Sequence, residues 1–94
     1  MRMTNKLVHN IKRILANYGD RNQKKKALEE LGELSLAIMD EMYCEGSREH
    51  IKEEIADVYV MLEQLKMIYH ITDMEVLEVM EYKVNRQLGR IRNE

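Results

Sequence analysis

Four acidic residues in two matched pairs are the part of this 94-residue chain best suited to chemistry. Glu29-Glu30-Leu31-Gly32-Glu33-Leu34 is echoed by Glu53-Glu54-Ile55-Ala56-Asp57-Val58 at a constant offset, 54 − 30 = 24 and 57 − 33 = 24. Residues i and i+3 share one face of a helix, so Glu30 pairs with Glu33 and Glu54 with Asp57. Each pair lies on the margin of an apolar stripe rather than on the fully solvated face. Folding the two segments into an antiparallel hairpin about the Cys44–Ser47 turn brings the pairs level, because 33 with 54 and 30 with 57 share the midpoint 43.5. Four carboxylates then converge on one small volume, where they repel and raise one another's pKa unless a cation intervenes. Oxygen ligands with no His or Cys among them select a hard cation, Mg²⁺ with Mn²⁺ as a substitute. Zinc is disfavoured, and the Glu-x-x-His spacing of di-iron bundles is absent.

A carboxylate-held Mg²⁺ keeps open positions for phosphate oxygens and water, so a phosphate substrate fits the donor set. Lys26 lies one turn before Glu30 on the same face, and Lys83 and Arg86 flank the apolar stripe near the C-terminus. These three are the candidate phosphate-binding residues. Plainer roles compete with that one. Basic residues late in a helix favour its dipole, and the Lys24-Lys25-Lys26 run can pair with glutamates at i+4. His50 and His70 fall at helix ends, where capping or solvation is expected, and His9 falls on a polar face.

The elements that must position these side chains are four amphipathic helices, expected near 4–18, 21–44, 47–69 and 73–92. Apolar residues recur at helical spacing in each: Leu7, Ile11, Ile14, Leu15 and Tyr18; Ala27, Leu31, Leu34 and Ile38; Ile51, Ile55, Val58, Leu62 and Leu65; Val76, Met80, Val84, Leu88 and Ile91. Asp20 with Gln23 and Thr72 with Glu75 have capping-box spacing. Ser47 is placed to cap the third helix, and Gly46 to end the second in a left-handed turn. Helices joined by short loops make an all-α, up-down four-helix bundle, here one domain over residues 1–94.

Composition excludes several classes. There is no proline, there are four glycines, and 45% of residues are apolar, which rules out collagen-like and proline-rich chains. The lone Cys44 cannot form an intrachain disulfide and completes no zinc motif. Charged residues nearly cancel, at net −2, so a nucleic-acid partner is not expected. No apolar run approaches the roughly 20 residues of a membrane span, and no signal-peptide core is present. The expected compartment is a reducing cytoplasm.

The pattern E-E-x-x-E followed by E-E-x-x-D on the second and third helices of a short all-α chain resembles the MazG-like nucleoside triphosphate pyrophosphohydrolases. Tyr82-Lys83-Val84-Asn85-Arg86 adds to the likeness, which runs from about Lys26 to Arg92. The resemblance implies the all-α NTP pyrophosphatase fold, acting as a homodimer or a homotetramer built as a dimer of dimers. It implies Mg²⁺-dependent hydrolysis of a nucleoside triphosphate to the monophosphate and pyrophosphate, usually in house-cleaning of the nucleotide pool. Carried over by residue, Glu30, Glu33, Glu54 and Asp57 ligate the metal and form the catalytic set. Family members that stack a base with Trp or Phe differ from this chain, which has neither and offers only tyrosines or histidines. A second reading stands beside the enzyme: a non-catalytic helical dimerisation or interaction module whose acidic cluster is vestigial or holds a metal structurally.

Overall fold

Short breaks between amphipathic runs are realised as four helices in the computed structural model, which describes residues 1–93. They are α1 Asn5–Tyr18, α2 Asp20–Met42, α3 Arg48–Tyr69 and α4 Asp73–Arg92, with no strand among the described residues. The all-α four-helix architecture expected from periodicity is therefore present, each boundary within two residues of its predicted place. No helix among the described residues is long and apolar enough to cross a membrane.

The helix starts follow the side-chain chemistry in two cases of three. Ser47 Oγ accepts from the His50 amide at 3.1 Å. Thr72 and Glu75 form a complete capping box, with bonds of 3.1 and 2.7 Å. Asp20 does not cap α2; Gly19 occupies that position without a side-chain bond, and Asp20 is the first helical residue. There its charge still favours the positive end of the helix dipole.

The α2–α3 turn also differs from expectation. Cys44, at φ 66°, takes the left-handed conformation that Gly46 was expected to supply. Gly46 is needed for a different reason: a Cβ there would stand 2.8 Å from the Glu41 amide nitrogen, against the last turn of α2.

The dominant packing is the antiparallel α2–α3 hairpin, with α1 laid against both. Its register agrees with the acidic repeat. Gln23 Nε2 donates to Gln64 Oε1 at 2.8 Å, and 23 + 64 = 87, the same sum as 30 + 57 and 33 + 54. Gln64 in turn donates to the Ile11 carbonyl at 3.2 Å, so one buried amide ties three helices together. Around it sit Ile11, Leu15, Ala27, Ala37, Val58 and Met61, a thin core for a chain this size. Gln64→Met keeps the volume but leaves the Gln23 amide and the Ile11 carbonyl without this partner. The expected cost is about 2 kcal/mol, measured as a lower urea midpoint at unchanged slope.

The buried stripes are rotated from those predicted. Along α2 they run Gln23, Ala27, Glu30 and Ala37, and along α3 Glu54, Val58, Met61 and Gln64. Leu31, Ile38, Ile55 and Leu62, expected inside, are exposed. A carboxylate on each helix occupies the seam instead. The α4 helix buries no residue at all. It is attached through its first turns, where Lys66 of α3 bridges Glu63 at 2.8 Å and also pairs with Asp73. Burial lowers the Lys66 pKa, but the hydrogen bonds that its ammonium donates to Asp73 and Glu63, with their charges, outweigh it and the net shift is upward.

Candidate metal centre

Glu30 and Glu54 are the two acidic residues that the hairpin turns inward, only 6% and 8% exposed. Their position follows from register: one lies on α2, the other on α3, each in the stripe that faces the opposite helix. Ala27 and Ala37 lie on the same stripe of α2, and their small side chains leave room for the helices to approach. Glu33, exposed, stands one turn from Glu30, and oxygens of Glu30, Glu33 and Glu54 lie within 4.8 Å of one another. Asp57 sits at the exposed rim, close enough to Glu30 and Glu54 for both to act on its titration. Three of the four sequence-predicted ligands, Glu30, Glu33 and Glu54, therefore converge on one seam, and Asp57 stands beside them at its rim, outside that group.

Each buried carboxylate uses one oxygen and leaves the other without a partner. Lys26 Nζ lies 3.1 Å from Glu30 Oε1, and His50 Nε2 lies 3.2 Å from Glu54 Oε1. The second oxygens, Glu30 Oε2 and Glu54 Oε2, are buried with no hydrogen-bond partner. A buried, unpaired carboxylate oxygen costs several kcal/mol unless a cation meets it. Two such oxygens, backed by a third carboxylate within reach, are a donor set that suits a divalent ion with oxygen preference. The observed residues thus fit Mg²⁺ or Mn²⁺.

The missed residue is His50. The repeat that relates Glu30 to Glu54 also relates Lys26 to His50, since 26 + 24 = 50. Lys26 and His50 each sit one turn before a glutamate and contact its Oε1, so the site is quasi-symmetric. Lys83 and Arg86 are not brought to the seam within this chain. They stand on α4, which does not pack on α2, and Arg86 instead lies over the Tyr82 ring at 5.6 Å.

The electrostatics express the crowding. Glu33 is raised above its ordinary 4.5, first by the charge of Glu30 and then by that of Glu54. Asp57 is raised above 3.8, first by loss of hydration beside the seam, then by Glu30 and Glu54. Lys26 is raised by its hydrogen bond to Glu30 and by the surrounding acidic charge. A carboxyl with a raised folded pKa binds its proton more readily in the folded state. Its ionisation therefore removes stability as pH rises from the ordinary value through the raised one. Metal-free protein is expected to gain stability from these two groups as pH is lowered from neutrality toward their ordinary values, 4.5 and 3.8. Thermal melts of wild type, Glu33→Gln and Asp57→Asn across that range check it; each variant should show a flatter slope than wild type.

No family model, no curated protein and no solved structure matches the chain.

Proposed function

We propose that this chain is a Mg²⁺-dependent nucleoside triphosphate pyrophosphohydrolase of the MazG-like kind, releasing monophosphate and pyrophosphate. The observation that carries the reading is the pair of buried, unpartnered oxygens, Glu30 Oε2 and Glu54 Oε2, on one seam with Glu33. A structural surface cluster has no need to bury carboxylates in this way. Bound there, Mg²⁺ would supply Lewis-acid polarisation of a phosphate oxygen and a water of lowered pKa.

The remaining work falls to the chain's own side chains. Glu30 and Glu54 are the inner ligands, held in place by Lys26 and His50 through their outer oxygens. Glu33 and Asp57, carboxylates at the solvent edge of the seam, are suited to take a proton from the attacking water. In that step the water oxygen bonds to the α-phosphorus, the α–β anhydride bond breaks, and pyrophosphate leaves. Lys26 is the one phosphate-binding candidate that the seam itself supplies, half-exposed and one turn from the ligands. Lys83 and Arg86 remain proposals for phosphate contact from outside the seam.

The interaction-module reading is favoured by one feature, the unburied α4. A panel of ribo- and deoxyribonucleoside triphosphates with Mg²⁺ or Mn²⁺, resolved chromatographically, separates the two. Monophosphate plus pyrophosphate is expected, and the ranking of rates identifies the base. Nucleotide left intact throughout, with the metal bound, would favour the module.

A further inference from the structure

A nitrogen donor stands against the carboxylate seam. His50 and Glu54 lie at i and i+4 on α3, so one face of the helix carries both. His50 Nε2 is 3.2 Å from Glu54 Oε1. Two donors bound side by side on one ion, with metal bonds of about 2.1 Å, stand about 3.0 Å apart in octahedral and about 3.4 Å apart in tetrahedral coordination. The observed spacing falls between these. The imidazole is half-exposed and free to turn, whereas the carboxylate beside it is buried. Glu54 Oε2 and Glu30 Oε2, buried without a partner, point independently to a cation at this place.

We propose that His50 is itself a metal ligand, so that the centre holds Mn²⁺ or Co²⁺ more tightly than Mg²⁺, which uses the carboxylates alone. Imidazole nitrogen suits transition ions, whereas Mg²⁺ keeps to oxygen. His50 adjoins the group of Glu30, Glu33 and Glu54 at its Glu54 corner. In the metal-free protein the ring contacts Glu54 Oε1, and on loading it passes from that oxygen to the ion.

The 24-residue repeat makes the two ends of the seam chemically different. Lys26 holds the place on α2 that His50 holds on α3, and its ammonium has no lone pair to give a metal. The α3 end therefore carries the nitrogen that can ligate, and the α2 end carries a fixed positive charge suited to an anionic substrate. The other two histidines are out of reach. His70 follows α3, twenty residues beyond His50 and about 30 Å along the axis. His9 lies next to Ile11, whose carbonyl meets Gln64, ten residues or about 15 Å along α3 from Glu54.

The inference rests on the metal centre proposed above and not on the reaction. Pulsed EPR of the Mn²⁺-loaded full chain is expected to show the ¹⁴N modulation of a directly bound imidazole, replaced by the ¹⁵N pattern after labelling with ¹⁵N-histidine. His50→Gln should remove that coupling. In calorimetric titrations the same variant should bind Mn²⁺ and Co²⁺ at least about 10-fold more weakly, with Mg²⁺ affinity within about 3-fold of wild type. The substitution spares the start of α3, because Ser47 Oγ meets the His50 backbone amide. Mn²⁺ bound without nitrogen coupling, or His50→Gln weakening Mg²⁺ and Mn²⁺ alike, would overturn the inference and leave the hydrolase reading standing. Nitrogen coupling in a protein that leaves every nucleotide intact would uphold His50 while the hydrolase reading falls. Wild type that takes up no Mn²⁺ would overturn both.

Discussion

Glu54→Gln is expected to abolish nucleotide hydrolysis while making the metal-free protein harder to melt. The two effects have one origin. Glu54 is buried in the α2–α3 seam with one oxygen on His50 and the other unpartnered. Removing its charge removes an inner metal ligand, so activity should fall on the order of 10³-fold or more. The same change takes away one of two like charges buried in the same seam, and the metal-free fold gains stability, by about 1 kcal/mol. For a domain of this length that is a melting shift of roughly 4–8 °C. Glutamine has nearly the same shape and can still meet the His50 ring, so a misfolded variant is not expected. Calorimetric melts beside turnover assays check both halves. Lost activity with a lower melting temperature would mark Glu54 as a packing residue instead.

Divalent metal should stabilise the wild type by an even larger margin. A ligand that binds only the folded state contributes about 2.7 kcal/mol when present at 100 times its Kd. On this scaffold that corresponds to roughly 10–20 °C. The gain should be large because the ion meets two carboxylate oxygens that otherwise have no partner. It should also flatten the pH dependence, since the ion would offset the repulsion that raises Glu33 and that adds to the loss of hydration raising Asp57. Ca²⁺, also an oxygen-seeking ion, should give a smaller shift, because two helices in close contact offer a tight site. Glu30→Gln should lose most of the Mg²⁺ shift. Melting curves with each cation, on both proteins, provide the comparison.

Much of this arrangement was legible in the sequence, and the parts that were not have physical causes. Helix limits could be read because caps and short breaks are local: Ser47, Thr72 and Glu75 act within three residues of themselves. The hairpin register could be read because a 24-residue offset fixes a sum of 87, which Gln23 and Gln64 also obey. The phase of the buried stripes could not. Periodicity leaves Glu30 and Glu54 on the stripe margin and Gln23 and Gln64 outside the stripe, yet all four lie inside. Leu31, Ile38, Ile55 and Leu62 were then assigned the interior that those residues occupy.

His50 was obscured by the same habit of reading a helix end as a cap. Only its place in the 24-residue repeat, opposite Lys26, distinguishes it. For α4, the periodic stripe identified an amphipathic helix but not its partner. Intrachain packing supplies little, since α4 buries no residue.

The central claim is that the Glu30–Glu54 seam hydrolyses a nucleoside triphosphate at its α-phosphorus. The most direct measurement is hydrolysis with Mg²⁺ in ¹⁸O-labelled water, with mass spectrometry of the products from wild type and Glu54→Gln. The account predicts one labelled oxygen in the nucleoside monophosphate, none in the pyrophosphate, and no product from the variant. Label in orthophosphate beside a nucleoside diphosphate, or equal turnover by the variant, would contradict it.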